Sequence, residues 1–332
     1  MIITKTPYRL SLFGGGTDYP AWFSTNPSRC VSAAMAHYCY IHVKPLSPFF
    51  DYNIRVTYSK IESVDSVSEI EHPSIRACLN HLNLKNGISI SHDGDLPARS
   101  GIGSSSSFTV GLLKALYTLK KQHLTPYELA MQAIYVEQGI LDENVGVQDQ
   151  IMAAHGGIQI INMGPGNNYS WSTQPLRLSD DYKNELESHI LLGFSGISRI
   201  AEIQAKKKVD NIKAGINHKL LEETAKLAEE AIDSLAKETN MSIIGKLLDD
   251  GWRIKRELAE GVTDLWIDDI YNDSLKAGAF GGKLMGAGGG GFFMFIVPPE
   301  KQNKFKNKMQ QIKVWVPFKF DNGGTQIIFN SM

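Results

Sequence analysis

The sequence predicts an α+β fold divided between two domains. Three observations carry that prediction: β-favouring segments concentrated in the first third, two helical segments directly after a glycine- and serine-rich loop, and a helix-rich second half closing on a glycine cluster and an apolar strand. At 332 residues, 42% of them hydrophobic, the chain can bury a large core and is long enough for two domains.

The elements follow in order. TKTPYRLSLF and CVSAAMAHYCYIHVKPL alternate or favour β structure, and NGISISHD adds a short strand. From Ser104 to about Lys121 apolar residues recur at helical spacing (Phe108, Leu112, Leu113, Leu116, Leu119). TPYELAMQAIYVEQGIL opens a second helix, with Thr125 as N-cap and Pro126 as first helical residue. GGIQIINM reads as a strand and GPGNNYSWSTQP as a turn-rich crossing, which divides the chain into 1–174 and 175–332. Beyond it come the strand HILLGFS, charged amphipathic helices from about 198 to 257, and a helix near 266 to 277. A final helix and the strands KVWVPFKF and TQIIFN close the chain.

Charge and cysteines exclude several function classes. With 34 basic and 35 acidic side chains there is no general electrostatic reason to expect nucleic acid or an anionic membrane as partner. Cys30, Cys39 and Cys78 lack the CxxC spacing of a zinc or redox site and read as reduced, buried thiols of a cytoplasmic protein. The start, MIITKTPYRLSLFGGG, has neither a long apolar run nor a small-residue cleavage site, so export and membrane insertion are not expected.

The chemistry begins at LPARSGIGSSSS. Gly101 and Gly103 allow a tight bend, and a helix starting at the serines aims unpaired amides and a positive dipole end into it. Phosphate is the commonest ligand of such a turn, although a serine-rich cap with nothing bound would read the same way. The second glycine cluster, GAGGGG at 286–291, matches GxGxxG, but an apolar strand follows where a dinucleotide site needs a helix. GAFGGKL fails the P-loop spacing. A hairpin needs fewer small residues than GAGGGG supplies, and close approach of backbone to a ligand explains the excess better. Glu137, Asp142, Glu143 and Asp149 follow the second helix; beside a phosphate loop one carboxylate can hold the magnesium of a nucleotide and another can take a proton from an attacking hydroxyl.

Taken together, PYRLSLFGGGTDYP (7–20), PARSGIGSSSS (97–107) and KLMGAGGGGFF (283–293) resemble the three motifs of the GHMP kinases, in family order and across nearly the whole chain. The resemblance implies an N-terminal domain like ribosomal protein S5 domain 2, a ferredoxin-like C-terminal domain, and ATP and acceptor bound between them. It implies an ATP loop of Pro97, Arg99, Ser100, Gly101, Ile102, Gly103, Ser104, Ser105 and Ser106, supported by Gly286, Gly288 and Gly289. Ser105 and Glu137 would hold Mg2+, Asp149 would be the general base, and Arg9 would keep that carboxylate charged and offset charge on the acceptor oxygen.

Departures from the relatives bear on the acceptor. Galactokinases have GEHTDY where this chain has GGGTDY: Gly15 and Gly16 replace two polar side chains, while Thr17 and Asp18 are kept. The space and any exposed amides suit a sugar with a longer or anionic tail. PYRLSLFGGGTDYP, RSGIGSSSSFTVGLLKAL and GFSGISRIAEI together resemble the heptose 7-phosphate kinase branch, which phosphorylates the anomeric hydroxyl of D-glycero-D-manno-heptose 7-phosphate to the 1,7-bisphosphate for nucleotide-activated heptose. Ser198 and Arg199, at a helix start, are candidates for the tail phosphate, with KKK (206–208) on the solvated side. A fucokinase-like enzyme for an unphosphorylated sugar and a non-catalytic sugar- and ATP-binding regulator are the alternatives. A homodimer is left open.

Overall fold

The computed structural model describes residues 1–85, 87–165, 170–197 and 201–332. In chain order the first half forms β1 (Ile2–Phe13), α1 (Pro20–Phe23), β2 (Ser28–Pro45), β3 (Ile54–Thr57), β4 (Ile61–Val64), α2 (Pro73–His81), β5 (Ile88–Gly94), α3 (Ser104–Leu119), α4 (Pro126–Ile134), α5 (Gln148–His155), β6 (Ile158–Gly164) and β7 (Ser170–Pro175). The second half forms α6 (Asp180–His189), β8 (Ile190–Phe194), α7 (Ala201–Lys213), α8 (His218–Ala236), α9 (Met241–Glu257), α10 (Leu265–Ala277), β9 (Gly281–Leu284), β10 (Phe292–Ile296), α11 (Gln302–Lys308), β11 (Val314–Val316) and β12 (Gln326–Asn330).

One sheet runs β12-β1-β2-β5-β3-β4, with β6 beside β2 and β7 beside β6. The long strand β2 serves two partners on the side away from β1, pairing through Ser28–Ala33 with β6 and through Cys39–Pro45 with β5. A register shift between Pro7 and Tyr8 in β1 marks the bend that this change of partner requires. The residues of β7 were expected in a turn-rich crossing; they pair with β6 from Gln159↔Pro175 to Gly164↔Ser170 instead. Only Trp171 of that strand is buried, and such a polar edge strand carries too little apolar alternation to read.

Helix α3 lies close on β1 because Gly111 has no side chain: a Cβ there would stand 2.6 Å from Thr6 Oγ1. Phe108, Leu112, Leu113 and Leu116 are buried beneath it, as their spacing predicts. Helix α4 starts with the Thr125–Glu128 capping box. It was expected to continue to Leu141, but regular winding ends at Ile134 and Tyr135–Ile140 forms a wider π turn, closed by Leu141 N–H on Val136 O at 3.0 Å.

The second sheet runs β11-β8-β10-β9, all antiparallel, and Trp252, Phe293, Phe295 and Phe305 fill a core beside it. The end of the chain does not stay with this sheet. Strand β12 pairs with β1, from Ile2↔Asn330 to Lys5↔Gln326, so the first sheet takes an edge from the last residues. Cys30, Cys39 and Cys78 are free and buried. Among the described residues no helix is long and apolar enough to cross a membrane.

Candidate active site

The bend before α3 is built from left-handed residues: Arg99 has φ 58°, Gly101 84° and Gly103 73°. Gly103 is the residue before the helix and offers no side-chain cap, so the first-turn amides are left facing the bend. Serines brace the loop from within. Ser100 Oγ donates to Pro97 O at 2.6 Å, and Ser104 Oγ accepts from the Arg99 N–H at 3.2 Å. Ile102 is buried as an anchor, and its carbonyl accepts from the Arg9 N–H at 3.1 Å.

The first turn of α3 presents its serines to different surroundings. Ser105 is exposed, whereas Ser106 is buried and donates to Glu137 Oε2 at 2.8 Å. The hydroxyl joined to Glu137 is therefore that of Ser106, not of Ser105, because helical phase turns Ser106 toward the π turn. Glu137 also accepts from Gln150 Nε2. Its other oxygen, Oε1, is buried without a hydrogen-bond partner. Burial, then the nearby Glu143, pushes the Glu137 carboxyl up to about 7, against the pull of its hydrogen bonds. A buried acid with one oxygen unsatisfied, at the start of a phosphate-type helix, fits a divalent cation held mainly by phosphates. Among the described residues there is no cluster of three or more His, Cys, Asp or Glu to hold a metal without them.

Arg9 and Asp149 meet as two forks. Arg9 Nε donates to Asp149 Oδ1 at 2.6 Å and Nη2 to Oδ2 at 2.8 Å, while Nη1 donates to Gly101 O at 2.6 Å. One guanidinium thus ties the carboxylate of α5 to the carbonyl of the serine loop. The arginine is buried and Asp149 is 27% exposed, so the carboxylate is reachable while the cation is fixed. Gly103 lies over the pair: a Cβ there would sit 3.0 Å from Arg9 Cγ and 3.1 Å from Asp149 Oδ2.

The GGGTDY turn is closed upon itself. Gly16 N–H donates to Asp18 Oδ1 at 2.8 Å, and Thr17 gives both its N–H and its hydroxyl to Gly14 O. The Gly16 amide, expected to face a ligand, is spent here on the turn. The expected space is not found at these glycines: a Cβ on Gly15 would stand 2.9 Å from Ser11 Oγ, and one on Gly16 would meet Leu258 and Leu221 at 3.4 and 3.8 Å, ordinary contact distances. Asp18 is buried, and burial, with Asp149 nearby, raises its pKa.

The second glycine cluster touches the first. A Cβ on Gly286 would stand 2.5 Å from Gly101 Cα, and one on Gly291 2.4 Å from Ser100 O; Phe292 N–H donates to Ser100 O at 3.0 Å. Gly288 is packed as closely on Val262, and Gly289 N–H bonds to Val262 O. The glycines bring backbone to backbone inside the protein, bracing the serine loop, where close approach to a ligand was expected.

Three lysines went unread in the sequence. Lys208 was expected on a solvated face, yet it is 4% exposed; Lys283 is 9% exposed and Lys255 is half-buried. A signal existed: Lys208 shares the stripe of Ala205, Val209 and Ile212, and Lys255 continues that of Ile244, Leu248 and Trp252. Ser198 and Arg199 lie outside the described residues.

Known proteins bear on this site. The model of the GHMP kinase N-terminal domain matches residues 71–157, and that of the GHMP kinase C-terminal domain matches 228–313. D-glycero-alpha-D-manno-heptose 7-phosphate kinase of Campylobacter jejuni is 29% identical over 341 residues, covering 98% of each chain. A bifunctional fucokinase/GDP-fucose pyrophosphorylase of Arabidopsis thaliana is 27% identical over 232 residues, covering 68% of this chain and 21% of that one. The crystal structure of a D-glycero-D-manno-heptose 1-phosphate kinase from Bacteriodes thetaiotaomicron shares the fold, with a TM-score of 0.80 at 23% identity over 100% of both chains.

Proposed function

We propose that this chain, which belongs to the GHMP kinase family and is an ATP-dependent sugar kinase, transfers a phosphoryl group to the anomeric hydroxyl of D-glycero-D-manno-heptose 7-phosphate, giving the 1,7-bisphosphate. The full-length similarity to the Campylobacter enzyme supports the acceptor. That relative is named for a 7-phosphate and the Bacteriodes structure for a 1-phosphate, and the proposed product carries both.

The Arg9–Asp149 fork beneath Gly103 carries the mechanism. In it, Asp149 is the general base: the acceptor hydroxyl gives its proton to a carboxylate oxygen as its own oxygen attacks the γ-phosphorus of ATP, and the bond from that phosphorus to the β,γ-bridging oxygen breaks to release ADP. Arg9 holds both carboxylate oxygens and, through Gly101 O, keeps the base in register with the loop that holds the phosphates. The first-turn amides of α3 and the hydroxyls of Ser104 and Ser105 receive those phosphates. Glu137, with the adjacent serine hydroxyls, would hold Mg2+, which would neutralise charge developing on the phosphate oxygens. The acceptor lies against Asp18 and the GGGTDY turn. In the division we propose, 1–174 carries the loop and both acids, and 175–332, less the returned strand β12, covers the acceptor.

The test is ADP release with magnesium ATP against heptose 7-phosphate, mannose 6-phosphate, fucose and galactose, with Asp149→Asn alongside. Turnover of the heptose phosphate, lost in the variant, is expected. Activity on the free sugars alone would replace this reading with the fucokinase-like one.

A further inference from the structure

Lys208, Lys255 and Lys283 come from α7, α9 and β9; two of them reach residues flanking the GGGTDY turn, and the third reaches the strand that carries Lys283. Lys283 Nζ donates to Leu12 O at 3.0 Å, at the end of the strand that leads into GGGTDY. Lys255 Nζ donates to Leu284 O at 2.6 Å, one residue beyond Lys283. Lys208 Nζ stands 5.6 Å from the centre of the Tyr19 ring, beside Asp18. Each ammonium has three protons to give, and the described hydrogen bonds use one apiece on Lys255 and Lys283.

The charges do not balance. Arg9 is matched by Asp149. Among the described residues no carboxylate lies within 4.0 Å of any of the three lysines. Asp18 is the carboxylate that attracts Lys208 and Lys283, which leaves three buried or half-buried ammoniums facing one acid. Buried cations are strongly disfavoured unless paired. With all three lysines protonated the deficit would be about two negative charges, which is what a phosphate monoester supplies near neutral pH.

We propose that Lys208, Lys255 and Lys283 form the receptor for the phosphate group that the acceptor already carries. This rests on the reading above that the acceptor is a sugar phosphate, and it gives the tail phosphate to these lysines instead of Ser198 and Arg199. The γ-phosphate of ATP is the other source of the same chemistry. The described contacts of the lysines favour the acceptor, because they run to Leu12, Tyr19 and β9 and none reaches the serine loop or Glu137. Without a ligand the cluster is frustrated. Burial, then Arg9, brings Lys283 down to about 7, burial lowers Lys208, and burial followed by Lys283, Lys208 and Arg9 takes Lys255 well below its ordinary value.

Steady-state kinetics on Lys208→Met and Lys255→Met test this, with heptose 7-phosphate, the same heptose unphosphorylated, and ATP varied in turn. Either change removes a buried cation and keeps an apolar stem, so the variants should fold, which thermal melting verifies. The expected result for Lys208→Met is a KM for heptose 7-phosphate raised about 10- to 100-fold, the KM for ATP unmoved, and competitive inhibition by inorganic phosphate lost. An unmoved KM for heptose 7-phosphate in both variants overturns the receptor alone. A KM for ATP that rises equally gives the lysines to the nucleotide. Failure of the unaltered protein to turn over any sugar phosphate takes down the acceptor reading and the receptor together.

Discussion

The proposed nucleotide end draws most of its polar groups from one stretch, Pro97–Ser106, with Glu137 added from the π turn, whereas the proposed acceptor end gathers Asp18, Lys208, Lys255 and Lys283 from a turn, two helices and a strand. Its means differ too. At the nucleotide end backbone amides, hydroxyls and left-handed glycines do the holding, and these are fixed dipoles. At the proposed acceptor end the groups are ionisable side chains taken out of water, which cost more to bury when charged. Arg9 and Asp149 sit where the two meet, which is why one arginine touches both the base and the loop.

The largest effect should come from the shared pair. Asp149→Asn is expected to lower kcat by about 10²–10⁴, because neither end can replace a base, and single-turnover kinetics would separate this from slow product release. A smaller loss would mean that positioning, not proton transfer, dominates.

Next come the glycines that bind one loop to the other. Gly286→Ala forces a Cβ to 2.5 Å from Gly101 Cα at φ 67°, and urea unfolding should show a loss of about 2–4 kcal/mol. Gly87 provides the contrast: φ 71° but nothing within 4 Å, so Gly87→Ala should cost about 1–2 kcal/mol. Equal losses would deny that the two glycine loops are packed together.

Glu137 is the one acid of the nucleotide end that is held against its preference. Its folded pKa, about 7, lies above the ordinary 4.5. The stability from its neutral form is therefore fully present below about 4.5 and lost as pH rises through 7, a difference of up to about 3 kcal/mol. The metal-free protein should melt lower at pH 8 than at pH 5.5; Glu137→Gln should shrink that difference, and Mg2+ together with ATP should restore stability at pH 8 only with the glutamate. The smallest effect is remote from both ends: Thr125→Ala breaks the capping box of α4 and should cost about 1 kcal/mol with kcat unchanged.

Legibility followed the same division. The serine loop could be read because its glycines, serines and following apolar stripe are contiguous, and the Thr125–Pro126 helix start because a cap is a local device. That Gly286 would pack on Gly101 was not legible, since nothing in either segment names its partner, and the excess of glycine was assigned to a ligand. That Ser106, and not Ser105, donates to Glu137 was not legible, since it requires the helical phase relative to Glu137, which depends on the π turn. The lysines were hidden by their kind: a charge within KKK reads as solvated unless its place on the apolar stripe is weighed more heavily than its type. Strand β7 failed for the opposite reason, having one buried side chain where a pattern needs several.

The most direct measurement is the phosphorus NMR spectrum of the product formed from heptose 7-phosphate and ATP. The account predicts a second sugar phosphate resonance, a doublet coupled to the single anomeric proton, appearing in step with ADP while the original 7-phosphate resonance persists. ATP consumed without that doublet, or a new phosphate coupled to a different proton set, would contradict it.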